Sequence, residues 1–177
     1  MVTPPDFSSG AVLTAAQMSA VGLWLVKTQT IGTAVASVTV TDAFSAEYDN
    51  YQIMLSGGTC SSNDSNITLA LGATTTGYYQ QTSGATYAGV ATSLTTNNGA
   101  FFGRAGSMST DGLYLNVSLS GPNLAKRTFM ANAIIFDGVA RTASGYVNGT
   151  TAYTSFTLGT SAGTMTGGTI RVYGYRN

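Results

Sequence analysis

"GLYLNVSLSG", residues 112–121, decides how the chain is read. Leu113, Leu115, Val117 and Leu119 fall at every second position, with Tyr114, Asn116, Ser118 and Ser120 between them. A period of two sends the two sets to opposite faces of an extended backbone, which is the pattern of a half-buried β-strand. The same spacing recurs outward in both directions. Tyr51, Ile53 and Leu55 alternate in "NYQIMLSG" at 50–57, and Ile67, Leu69 and Leu71 in "NITLALG" at 66–72. Ala36, Val38 and Val40 read as an early apolar face, and Phe129, Ala131, Ala133 and Ile135 as a later one. Tyr153 to Leu158 and the closing "GGTIRVYGYRN" complete a set of about eight to ten strands, counted as runs bounded by turn residues.

Turn chemistry agrees with that spacing. "SGG" at 56–58, "NNG" at 97–99, "DG" at 111–112 and 137–138, "NG" at 148–149 and "GG" at 167–168 supply residues that tolerate positive φ where antiparallel strands reverse. Strand runs without intervening helices imply an all-β sandwich or barrel. The stretch 74–99 alternates poorly, with Tyr78, Tyr79 and Tyr87 among Thr, Gln, Ser and Gly. It reads as a long excursion from the core.

The start of the chain is different in kind. "FSSGAVLTAAQMSAVGLWLV" at 7–26 offers Thr14 as an N-cap before Ala15, Ala16, Gln17 and Met18, a short helix signal over 13–21. Pro4 and Pro5 keep the preceding arm from joining a sheet. The expected organisation is an arm with one short helix over 1–30 and a jelly-roll-like antiparallel β-sandwich over 31–177. Phe7, Leu13, Ala16 and Met18 are the candidate attachment or oligomerisation residues.

Composition narrows the chemistry. Only 8% of the 177 residues are charged, seven acids balance seven bases, and there is no histidine. Nothing steers the chain towards nucleic acid or an anionic membrane, and near-zero net charge favours a surface covered by neighbours. Without imidazole the commonest general base is missing. Asp42, Glu47 and Asp49 read as residues that cap and solvate a turn, and "SSNDSN" at 61–66 as a polar loop without the acidic spacing of a calcium site. Cys60 stands alone, so no internal disulfide forms. The expectation is a non-enzymatic protein with no catalytic residue, cofactor or metal. Trp24 and Phe44 are expected in the core, and no segment reads as a signal peptide or a membrane span. Tyr78, Tyr79 and Tyr87 are the candidate receptor contacts, because tyrosine among Ser, Thr and Gly provides rigid amphipathic contact area.

"FSSGAVLTAAQMSAVGLWLV" resembles the Phe-x-x-Gly-x-x-Leu-Thr-Ala-Ala-x-Met opening of tailed-bacteriophage structural proteins, notably tail fibres and minor tail proteins. "VTVTDAFSAEYDNYQIMLSGG" at 38–58 looks like the strand, Phe-Ser-x-x-Tyr-Asp-Asn-Tyr turn and strand of phage-associated sandwich domains. "SAGTMTGGTIRVYGYRN" at 161–177 is similar to their endings. The resemblance implies a virion protein assembled in the host cytoplasm, whose start attaches to other virion proteins. It further implies a homotrimer whose later domain is displayed to a host surface glycan or protein. Within the particle the alternative is a capsid decoration protein or head fibre; from another class, a carbohydrate-binding module.

Overall fold

The computed structural model describes residues 22–136 and 138–175. Fourteen strands run through them: β1 (Leu23–Thr30), β2 (Ser37–Val40), β3 (Asn50–Ser56), β4 (Thr59–Cys60), β5 (Ser65–Leu71), β6 (Tyr78–Thr86), β7 (Ala91–Gly99), β8 (Phe102–Ser109), β9 (Gly112–Ser120), β10 (Thr128–Phe136), β11 (Val139–Val147), β12 (Phe156–Thr160), β13 (Met165–Thr166) and β14 (Thr169–Tyr175). Twelve join in one sheet, and β4 and β13 form a small second one. All pairings between these strands are antiparallel. The chain is thus all-β, with no helix among the described residues. The helix expected over 13–21, with Phe7, Leu13, Ala16 and Met18, lies outside the described residues.

β9 organises the large sheet. One of its edges pairs with β3 from Leu115 to Ser120. The other is divided: Gly112–Leu115 pairs with β8, and Val117–Ser120 pairs with β10. One wing therefore runs β8-β5-β12-β2 and another β10-β11-β6-β7, while β3-β14-β1 extends from the opposite edge. The inward row Leu113, Leu115, Val117 and Leu119 is buried along its whole length, and it shares one continuous core with Ile53, Ile67, Leu69, Phe156, Leu158 and Val172. Each such side chain contributes about 1.5–3 kcal/mol by leaving water. The alternations read at 51–55, 67–71 and 113–119 are all core-facing.

The sheet doubles back where β6 and β10 lie over β8. The β5–β8 ladder shifts register between Ile67 and Leu69, leaving backbone groups of β8 without a strand partner. Side-chain amides from the overlying strands fill the gap. Gln80 Nε2 donates to Arg104 O at 2.7 Å while its Oε1 accepts from Arg104 N at 3.1 Å, and Asn132 Nδ2 donates to Ala105 O at 2.6 Å. Buried backbone groups of this kind are costly when unpaired, so a nearly buried glutamine stands where a strand pattern would put an apolar residue. That is why 74–99 did not alternate. The excursion read there is instead the β6–β7 hairpin, paired through β6 to β11.

Three other expectations are corrected. On β10 the apolar face Phe129, Ala131, Ala133 and Ile135 points outward, and Met130 and Ile134 are buried, because Met130 is in register with Leu119. Residues 23–30, assigned to the arm, form β1 and pair with β14 on both sides of an irregularity at Val26. Phe44 is buried as expected, but Trp24 is only half-buried, with its indole N–H unpartnered.

The Phe-Ser-x-x-Tyr-Asp-Asn-Tyr turn has a local physical purpose. Tyr51 Oη accepts from Ser45 N at 2.7 Å and donates to Ser45 O at 2.9 Å. Phe44 packs edge-on against Tyr51 at 4.8 Å and lies 5.7 Å from Phe156. Tyr48 lies over Gly174, where its ring occupies the place of any Cβ.

Leu115→Ala is expected to destabilise the fold by about 2–5 kcal/mol. Tyr51→Phe should cost about 1–3 kcal/mol through the lost Ser45 partners. Equilibrium urea unfolding measures both, and a Leu115→Ala loss no larger than that of the exposed Leu25→Ala would contradict the central place of β9.

Candidate functional site

The outward positions of eight consecutive strands, β1-β14-β3-β9-β10-β11-β6-β7, make one broad face. Register places them in rungs across the sheet. One rung runs from Tyr79 through Tyr146, Phe129, Ser120 and Asn50 to Tyr175; the next runs from Gln81 through Ser144, Ala131, Ser118 and Gln52 to Tyr173. Among the described outward strand positions Arg171 is the only charged residue, and its Nη1 donates to Ser56 Oγ at 3.1 Å.

The first rung is an aromatic wall. Tyr79 and Tyr146 stack with centroids 5.0 Å apart and planes 14° apart, Phe129 lies 6.3 Å from Tyr146, and the Arg127 guanidinium sits 5.1 Å over the Tyr146 ring. The neighbouring rung is built of small residues, and two shallow openings meet at Ser144. One, of about 680 Å³, lies along the aromatic wall; the other, of about 660 Å³, runs over Ala131, Ser118 and Gln52. Polar groups here are already paired among themselves. Ser118 Oγ donates to Gln52 Oε1 at 2.7 Å, Gln52 Nε2 donates to Asn116 Oδ1, and Thr95 Oγ1 donates to Gln81 Oε1 at 2.6 Å.

This arrangement does not suit sugar stacking. A saccharide needs an open aromatic face with free donors and acceptors nearby, yet Tyr146 is flanked by Tyr79 and Arg127, and Gln52 and Gln81 are engaged.

The three candidate receptor tyrosines separate. Tyr78 is fully buried, packs edge-on against Phe102 at 5.0 Å and accepts from Leu71 N at 2.7 Å, so it is a core residue and not a contact. Tyr79 belongs to the aromatic wall. Tyr87 is 70% exposed at the tip of the β6–β7 hairpin, beside Val90 at 62%. That tip is tied to the β10–β11 turn by Tyr87 N donating to Gly138 O at 2.9 Å. Alternation alone missed Phe129, Ile135 and Tyr146 as surface residues, since β10 carries apolar side chains on both faces.

Elsewhere the polar loops are structural. Asn63 Oδ1 in the 61–66 loop accepts from Thr110 N at 3.1 Å and from Thr110 Oγ1 at 2.8 Å. Buried Cys60 Sγ donates weakly to Ala162 O at 3.6 Å. Asp42 lies 3.9 Å from Lys27 and is largely exposed. Among the described residues no cluster of His, Cys, Asp and Glu is placed to hold a metal ion. Arg104 turns inward with Nε unpartnered, and burial, then the neighbouring Arg141, holds its pKa below the ordinary value.

Burial pushes the Tyr78 phenol up to about 12, against the opposing effect of the Leu71 N–H bond. An unfolded tyrosine ionises near 10, so this contribution to stability is intact below pH 10 and is lost as pH climbs towards 12. Thermal melts between pH 9 and 12, a range set by that linkage, should show a falling Tm that is shallower in Tyr78→Phe. Tyr51, also raised by burial, supplies part of the remaining slope. Tyr87→Ala should change stability by no more than about 0.5 kcal/mol; a large loss would place Tyr87 in the core instead. No protein-family model, curated protein or solved structure matches this chain, so its own residues and geometry carry the functional reading.

Proposed function

We propose that the chain is a non-enzymatic structural protein of a tailed-bacteriophage virion, a tail fibre or tail-tip component that displays a jelly-roll-like β-sandwich to the host surface. The two wings that part from β9 form the layers of that sandwich, and residues before Gly22 fasten it to other virion proteins. A homotrimer is the assembly this reading expects. The supporting motifs are the opening at 7–26, the turn at 44–51 and the ending at 161–177.

One observation carries the reading. The chain enters β1 at Leu23, on the rung of Tyr175, Phe129 and Tyr79, whereas the Tyr87–Val90 tip and the β10–β11 turn lie at the far end of the same strands. β6 alone spans nine residues, about 30 Å of extended chain. Fastening at one end and presenting an apolar hairpin tip at the other is the polarity of an appendage. Loops on a rigid scaffold commonly carry recognition, and this reading assigns the contact to the exposed Tyr87 and Val90.

A capsid decoration protein or head fibre has the same polarity and differs only in position on the particle. Immunogold labelling of intact virions separates these from the tail reading: gold at the tail supports it, and gold over the head overturns it. Particles carrying Tyr87→Ala with Val90→Ala should adsorb to host cells about tenfold or more slowly, since anchoring contacts contribute at least about 2 kcal/mol each. Unchanged adsorption would remove the tip as the contact.

A further inference from the structure

We infer that the outer face of the eight-strand run is the surface through which copies of this chain associate. Seven of the eleven large hydrophobic side chains exposed among the described residues stand on it. Leu23, Leu25 and Tyr175 lie at the β1 side, and Met54, Tyr114, Phe129 and Ile135 are distributed across the middle. Apolar side chains gathered on one face mark an interaction surface, whereas singly scattered ones do not.

Three further observations select a second copy as the occupant. First, eight strands at about 4.8 Å spacing and about 18 Å of strand length present on the order of 700 Å², close to the roughly 800 Å² per partner of a stable interface. Second, the face carries few charges, Arg171 on its strands and Arg127 over the Tyr146 ring, so its partner must also be sparsely charged. This chain, with 8% charged residues and no net charge, meets that condition with its own face. Third, Gln52, Ser118, Asn116, Gln81 and Thr95 are hydrogen-bonded within the face. Covering them leaves few polar groups unsatisfied, which keeps the desolvation cost low. The relief matches as well: the aromatic wall of Tyr79, Tyr146 and Phe129 rises beside the trough over Ala131 and Ser118, so the ridge of one copy can enter the trough of another. The inference stands apart from the virion reading, because a self-associating face is compatible with any role.

Sedimentation velocity and native mass spectrometry of the purified full chain test it. The unaltered chain is expected as an oligomer of the 18.1 kDa protomer. Ala131→Glu and Ser144→Arg set a charge in the middle of the face and should weaken association about 100-fold or more, as burying an unpaired charge does, with the far-ultraviolet spectrum and Tm retained. Val90→Arg, at the hairpin tip, should leave the oligomer intact. Thr142→Lys replaces either face variant that does not fold. A monomeric unaltered chain at about 100 μM, the scale of weak association, would overturn the inference. So would an oligomer indifferent to all face variants, which would place the contact in residues 1–21 or elsewhere. Loss of strand structure in all three face variants would equally overturn it, since exposed positions on a free face tolerate charge.

Discussion

Everything in this fold hangs on the divided edge of β9. A strand has two edges, and here one is shared between β8 and β10 while the other is given wholly to β3. The row Leu113, Leu115, Val117 and Leu119 therefore faces side chains from every wing at once, and the core is continuous because that row is. Beside that division the β5–β8 ladder shifts register, and Gln80 and Asn132 act as stand-ins for a missing strand partner. A polar residue deep in a sheet is thus a consequence of topology.

How far the sequence revealed this depends on which side of each strand carried the signal. Where only one face is apolar, as at 51–55, 67–71 and 113–119, alternation identified the core residues directly. On β10 both faces are apolar, and periodicity cannot choose between Phe129, Ala131, Ala133, Ile135 and the opposite set of Met130 and Ile134. Register with Leu119 makes the choice, and register is a long-range property. On β6 the inward face holds Tyr78, Gln80 and Thr82, so its burial was invisible to hydropathy. The motif at 44–51 was legible as a turn, but that Tyr51 clasps both backbone groups of Ser45 follows only from its geometry.

The same distinction bears on function. Tyr78, Tyr79 and Tyr87 lie close in sequence yet occupy three environments, namely the core, the outer sheet face and the hairpin tip. Their composition pointed to contact, and the fold buries Tyr78 while it sets Tyr79 and Tyr87 on two different surfaces. The apolar face of β10 has the character of a surface meant to be covered, while the tip at Tyr87 and Val90 lies outside the eight-strand face. In the proposed reading, association and display are separated along the length of the strands.

Hydroxyl-radical footprinting of the full chain, read residue by residue by mass spectrometry, tests that separation most directly. In a single protomer Phe129 is 54% exposed and Phe101 43%, so an isolated chain oxidises Phe129 at least as readily as Phe101. The account predicts the reverse at concentrations where the chain associates, with Phe129 and Tyr114 protected while Phe101 and Tyr87 react freely. Oxidation of Phe129 that follows its exposure in the single protomer, unchanged by concentration, would contradict it.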